Sequence, residues 1–362
     1  MLAGIRVLDF TRVLAGPLAT MLLGDLGADV LKVERRAGGD DTRGWGPPFD
    51  SRGESAYFLS VNRNKRSLAV DLDDPADRRL LLELAAGADV AVDNFLPGTL
   101  EKRGLDPQQL LERNPRLVWC TVTGFGPESA RPGYDLVVQA ECGWMAITGE
   151  PEGDPVKTGI ALADVIAGKD AAIAILATLV KRAEAPAEHR RLHISLQRSA
   201  VAALVNVAQG ALVSGGEARR WGNAHASLVP YQLFHAADRP LVVAVGNDAQ
   251  WRACARAIGL EGLAADPRFA TNAGRVEHRV EVVGALSARL LARPAAEWLS
   301  LLDRAGVPCG LVKSVLQALA EVPASPVWGV APPVPGAVRL PPPRLDEHGD
   351  AVRSLGWRAF TG

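Results

Sequence analysis

The first half of the chain alternates between two patterns, and this narrows the fold more than any single motif does. "IRVLDF" is a short β-rich run, and "AGPLATMLLGDLGA" reads as a helix with Pro17 at its first helical position and Gly27 closing it. "DVLKVE" and "RSLAVDL" return as strands, and "PADRRLLLELAAGA" reads as a helix with Asp74 as N-cap ahead of Pro75. "DVAVDNF", short helices on either side of "GLDP", and "LVWCTVTGFG" continue the series. Strands that are apolar without clean alternation, separated by helices, predict a parallel sheet covered on both faces. The expected fold class is α/β, with a doubly wound, Rossmann-like large domain whose ligands lie at the carboxyl ends of the strands.

From about Glu184 the character changes. "RAEAPAEHRR" reads as a charged surface turn, and "SLQRSAVAALVNVAQGALVSGG" as a helix ended by paired glycines. A second α/β pattern begins near "PYQLFHAADRPLVVAVGN", and beyond Pro323 proline is dense enough to suggest an extended connector. The expected organisation is a large domain over 1–190, a linker helix over 191–221, a smaller α/β domain over 222–320 and a proline-rich linker over 321–339. Residues 340–362 return to the large domain and include a closing helix.

At 362 residues the chain is long enough for two domains and a sizeable core. A net charge of −1 gives no global field favouring nucleic acid or an anionic membrane. No apolar stretch is long enough to span a bilayer, and "MLAGIRVLDF" lacks the pattern of a signal peptide. Cys120, Cys142, Cys254 and Cys309 stand far apart with no CxxC and no neighbouring histidine. That spacing argues against a zinc site or disulfide framework and for a reduced, cytoplasmic setting.

The candidate sites each have two readings. Asp164 is the one carboxylate in "GIALADVIAG", ahead of the apolar helix pattern "AAIAILATLV". It is either an N-cap, contributing about 1 kcal/mol, or an ionised nucleophile beside small neighbours that leave room for an electrophile. "TRVLAGPLAT" is a strand-to-helix turn able to offer backbone N–H groups to a phosphate, although it matches neither common nucleotide fingerprint. Arg35 and Arg36 end the following strand, as solvated surface or as added positive charge. "NRNKRS" is a basic cluster before a strand, and "DNFLPGTLEKRG" places Asn94 and Phe95 at a strand end with Lys102 and Arg103 beyond. Ser195 is not in a GxSxG elbow, and His225, His235 and His278 lack metal-ligand spacing.

Taken in order, these stretches resemble the class III CoA-transferases, the group typified by formyl-CoA and carnitine CoA-transferases. The resemblance runs through "GIRVLDFTRVLAGPLAT", "LGADVLKVERRAGGDDTRGW", "NRNKRSLAVDL", "DVAVDNFLPGTLEKRG" and "TGFGPESARPGYDLVVQAECGWMAITGEP". It continues through "GIALADVIAGKDAAIAILATL" and, more weakly, "NAHASLVPYQLF", "VAVGNDAQW" and "AGVPCG".

The resemblance implies that Asp164 is the catalytic aspartate, forming an aspartyl-acyl anhydride and then an aspartyl-CoA thioester. It implies contacts to coenzyme A from Val13, Ala15, Arg35, Asn94, Phe95 and Lys102, and places Tyr134 of "RPGYD" near the pantetheine and acyl end. Acyl-CoA and a small carboxylic acid are the implied substrates, with no permanently bound cofactor, in an interlocked homodimer. Leu14 stands where formyl-CoA transferase has glutamine, Lys102 where it has arginine, and His193 replaces the usual aspartate. The glycine-rich loop that shields its intermediate has no evident counterpart here. α-Methylacyl-CoA racemase is a rival on the same fold. There a histidine occupies the Tyr134 position, and a phenol with an ordinary pKa of about 10 suits that proton transfer poorly. A non-catalytic CoA-binding protein is a third reading, and a nicotinamide dehydrogenase, lacking the glycine fingerprint, ranks last.

Overall fold

In a computed structural model of the chain, which describes residues 1–182 and 184–360, two compact units are formed. The first comprises 1–145, 157–216 and the C-terminal segment from Leu319; the second comprises 146–156 and 217–318.

The first unit is built on six strands: β1 (Arg6–Asp9), β2 (Asp29–Arg35), β3 (Lys65–Val70), β4 (Val90–Asp93), β5 (Val118–Thr123) and β6 (Arg191–Ser195). Their spatial order is β3-β2-β1-β4-β5-β6, and every neighbouring pair is parallel. Parallel neighbours need crossovers, and α1 (Ala15–Asp25), α2 (Ala56–Ser60), α3 (Pro75–Ala86) and α4 (Pro107–Arg113) lie in them. The order reverses between β1 and β4, where a doubly wound sheet opens its crevice.

Successive side chains leave a strand on opposite faces, so the sheet fills two cores. Val7, Val30, Val92 and Cys120 pack on one side with the long helix Leu162–Lys181. Leu8, Leu31, Ala91 and Trp119 pack on the other with α3 and α4. Asp74 caps α3 as expected, accepting from the Ala76 N–H at 2.8 Å.

The long helix buries a stripe of small residues that includes Ala163, Ala167, Gly168 and Ala171, which lets it lie close on α1. A Cβ on Gly168 would fall 2.6 Å from the Ala15 carbonyl oxygen, a backbone atom that cannot swing aside. Gly168→Ala is therefore expected to cost about 1–3 kcal/mol by forcing the helices apart. It should also lower kcat, because Asp164 rides on the same helix one turn earlier. Thermal melts and turnover check this, and an unchanged melting temperature would mean the helices part freely.

Several sequence expectations differ from the structure. Residues 191–195 form the sixth strand rather than starting a linker, because β6 adds in register to β5. The run after Ser195 is two helices, Leu196–Ala202 and Val205–Ser214, broken where Val205 takes a φ of +42°. The proline-rich segment is anchored on the first unit: Arg63 Nη1 donates to the carbonyls of Trp328 (3.1 Å) and Val330 (2.6 Å). The C-terminal residues complete the second core, where Trp357 is buried and its Nε1 donates to the Leu84 carbonyl at 2.9 Å.

The second unit holds the antiparallel strands β7 (Tyr231–His235), β8 (Pro240–Ala244) and β9 (Cys309–Leu311) against helices contributing Trp251, Leu286 and Trp298 to a third core. Residues 146–156, placed by sequence in the large domain, belong here because Arg220 ties them down. Its Nε donates to the Glu150 carbonyl (3.1 Å) and its Nη2 to the Gly153 carbonyl (2.8 Å).

Candidate active site

The crevice at the switch point is shaped by the turn after β1. Asn94, at the end of β4, holds both polar groups of the Arg12 backbone: the Arg12 N–H donates to its Oδ1 (3.0 Å) and its Nδ2 donates to the Arg12 carbonyl (2.7 Å). Lys32 Nζ donates to the Thr11 carbonyl at 2.9 Å and pairs with Asp40 at 2.9 Å. Asp40 in turn accepts from the Val13 N–H at 3.3 Å. So held, Val13 adopts a φ of +73°. For a β-branched residue that conformation is strained by about 1–3 kcal/mol and persists only where surroundings impose it.

Beneath the turn, Lys65 Nζ donates to Asp9 Oδ2, the Pro17 carbonyl and Asn62 Oδ1, each at 2.9 Å. Burial opposes the Asp9 charge, yet Lys65 and Lys32 beside it hold its carboxyl down at about 2. The basic "NRNKRS" cluster is thus internal structure, with Asn62, Arg63, Asn64 and Lys65 all buried.

Of the cavities along the crevice, two adjoin the turn after β1. The larger, about 560 Å³, is lined by Phe95 and by four arginines, Arg12, Arg35, Arg36 and Arg103, which face the carboxylates Glu34, Asp40, Asp71 and Asp73 across the same wall. The smaller, about 270 Å³, brings together Val13, Ala15, Asn94, Phe95, Tyr134 and Asp164. Arg12, Phe95 and Leu96 line both. Seven of the eight residues singled out from sequence therefore face one continuous region, six in the small cavity and Arg35 in the large one. Lys102 does not: it is exposed and lines neither cavity, while its neighbour Arg103 lines the larger and pairs with Asp73 at 3.4 Å. The 3₁₀ turn Glu101–Arg103 separates the directions of these adjacent side chains.

Asp164 is 8% exposed. It is not the N-cap of its helix: that position is Ala161, and Asp164 stands third in the helix. Asp135, at the start of α5 (Asp135–Glu141), supplies the cap from outside by accepting from the Ala163 N–H at 2.8 Å. The Asp164 carboxylate has no hydrogen-bond partner among the described residues. Burial, reinforced by the Asp135 charge, pushes its carboxyl up to about 7, so the ionised form expected from sequence is disfavoured here. A buried, unpartnered carboxylate at a cavity wall is under-solvated and correspondingly nucleophilic once ionised. Tyr134 caps nothing and is exposed at the rim.

Sequence reasoning missed Tyr57, Asp135 and Arg12. The Tyr57 phenol is pushed up to about 12 by burial and by the charges of Asp164, Asp135 and Asp40, so it stays protonated beside them. Its ring meets Trp45 edge-on at 5.2 Å. Nothing within "AYFLS" marks that tyrosine.

Comparison with known proteins identifies the family. The family model described as CoA-transferase family III matches residues 2–326. The succinyl-CoA:glutarate CoA-transferase of Mus musculus is 46% identical over 323 residues, spanning 88% of this chain and 74% of the mouse protein. The succinate–glutarate CoA-transferase of Agrobacterium fabrum is 42% identical, spanning 88% of this chain and 82% of its own. A crystal structure of a CaiB/BaiF family protein from Brucella suis superposes with a TM-score of 0.85 at 37% identity, covering 98% of each chain. The chain is an enzyme that transfers coenzyme A, and it belongs to CoA-transferase family III.

Proposed function

We propose that the chain moves coenzyme A from a dicarboxylic acyl-CoA, of the succinyl type, to a second short carboxylic acid through covalent intermediates on Asp164. The observation that carries this reading is the buried, unpartnered Asp164 carboxylate in the wall of a small cavity that adjoins a larger arginine-lined one. The succinyl and glutarate relatives support the substrate class.

In this mechanism a carboxylate oxygen of Asp164 attacks the thioester carbonyl carbon, the C–S bond breaks, and CoA leaves as thiolate. The thiolate then attacks the Asp164 carbonyl carbon of the anhydride, releasing the donor acid and leaving aspartyl-CoA. The acceptor carboxylate attacks that thioester and again expels CoA thiolate. The thiolate attacks the new acyl carbon, giving the product acyl-CoA and restoring Asp164. Exclusion of water matters throughout, because the anhydride hydrolyses.

The same reading assigns the arginine-lined cavity to the phosphates of coenzyme A, with Val13, Ala15, Arg35, Asn94 and Phe95 along its course. Arg103 takes the place given to Lys102, and Tyr134 lies at the acyl rim. A homodimer is supported by the helix Val205–Ser214, which is apolar yet buries no side chain; Leu212 and Val213 are each 78% exposed. Four free cysteines support a reducing compartment.

The test is a trap. Incubation with succinyl-CoA followed by borohydride should reduce the aspartyl thioester and convert Asp164 to homoserine, read by peptide mass spectrometry. An unmodified Asp164 with every donor, while CoA still binds, would overturn the covalent route. Because the nucleophile must be ionised, kcat/KM should fall with unit slope below about pH 7. Asp135→Asn removes a negative neighbour, so that acid limb should move to lower pH; an unmoved limb would mean Asp135 does not act on Asp164.

A further inference from the structure

We propose that Arg12 determines acyl specificity, its guanidinium receiving the distal carboxylate of a dicarboxylic acyl group whose reacting carbonyl lies at Asp164. The inference rests on the Asp164 transfer reading and adds the residue that selects the substrate.

Position is the first argument. Arg12 belongs to the wall common to both cavities, so it stands where the acyl chamber meets the cofactor crevice. Asn94 clamps the N–H and the carbonyl of this one residue, which holds the root of the side chain at the junction. Beneath it lies the Phe95 ring, 5.8 Å from the guanidinium carbon.

Charge is the second. Arg12 Nη1 pairs with Asp41 at 3.0 Å, and the same carboxylate is also taken by Arg35. One negative charge is shared by two guanidiniums, so the cluster carries unspent positive charge. Arg12 Nε is also buried with no hydrogen-bond partner. A buried donor left unmade is unfavourable, and an incoming carboxylate removes that penalty. The fork of Nε and Nη matches a carboxylate bidentately.

The alternative cation is already occupied. Arg131 also lines the small cavity, but its Nη1 and Nη2 both donate to Glu141, at 3.2 and 2.7 Å, and its face rests on Phe125 at 4.1 Å. Of the two arginines in that wall, Arg12 is the one whose Nε is buried without a hydrogen-bond partner, and Arg131 is already held in a two-bond pair with its own carboxylate. A chamber of about 270 Å³ also favours a short acyl chain over a fatty one.

The experiment follows the first half-reaction, from acyl-CoA to trapped aspartyl-CoA, so that no acceptor enters. Succinyl-CoA is compared with butyryl-CoA, which has a methyl group where succinyl-CoA has its distal carboxylate. The wild type should prefer succinyl-CoA, and Arg12→Gln should shrink that preference about 10- to 100-fold. Asp41→Asn, which releases Arg12 from its partner, should move the preference the opposite way. Both side chains are part-exposed, so neither substitution endangers the fold.

A wild type without preference between the donors would overturn the inference. So would an Arg12→Gln variant that slows both donors equally and loses affinity for free CoA by calorimetry, since Arg12 would then grip the cofactor. Failure of any donor to label Asp164 would sink the transfer reading itself, and this inference with it.

Discussion

Replacing Asp164 by asparagine is expected to abolish transfer and to stabilise the protein at the same time. The loss should be about a thousandfold or more, because an amide neither attacks a thioester nor carries the anhydride. The gain has a separate cause. The Asp164 carboxyl sits at about 7 in the folded chain, raised from 3.8 by burial and by Asp135. A raised acid favours the folded state fully below its unfolded value and loses that contribution as pH rises through the folded value. At neutral pH and above, the folded protein therefore carries a carboxylate whose environment disfavours it, worth on the order of 2–4 kcal/mol. Asparagine removes that liability without changing shape. Urea midpoints should coincide for the two proteins near pH 4, separate as pH rises towards 7, and stay apart above it. A variant no more stable at pH 8 would mean that the folded state does not strain this charge.

The opposite outcome is expected at Lys65. It is fully buried, and its ammonium supplies three hydrogen bonds under the strained turn that borders the crevice. Lys65→Met leaves Asp9, also fully buried, with Thr11 and Thr20 as donors but without its nearest countercharge. Breaking a buried pair from one side typically costs about 3–5 kcal/mol, mostly the penalty of the stranded charge. Asp9 is held at about 2, so its stabilising contribution is present at neutral pH and is lost only as pH falls towards that value. The double replacement Lys65→Met with Asp9→Asn should recover much of the loss, because nothing charged is then left unpaired. Denaturant midpoints at constant slope measure this. Equal destabilisation by the single and double variants would show that packing, and not charge, holds the turn.

What the sequence revealed follows the distance over which each interaction acts. Alternating β-rich and helical runs, the Asp74 cap and the Pro75 after it are local, and all reappear in the fold. Asp164 was legible as an isolated carboxylate in an apolar run, but its state was not. Asp135, 29 positions earlier, both occupies the capping role and raises the carboxyl. Lys65 reads only as one member of a basic cluster before a strand, because Asp9, its partner, is 56 residues away. Lys102 and Arg103 are adjacent in sequence and equal in charge, and only the turn of a 3₁₀ segment decides which one lines the larger cavity. Residues 146–156 carry no compositional mark of leaving the first unit, since Arg220 recruits them from about 70 positions further on.

The path of the chain has a consequence for synthesis on the ribosome. Everything the second unit requires has been translated by residue 318, whereas the first unit awaits its final tryptophan, which bonds a carbonyl 273 residues earlier. The domain begun first is thus finished last. Throughout that interval the α3 side of its sheet lacks its lid, and the nascent polypeptide presents Leu84 and its neighbours to whatever chaperone or aggregate is at hand.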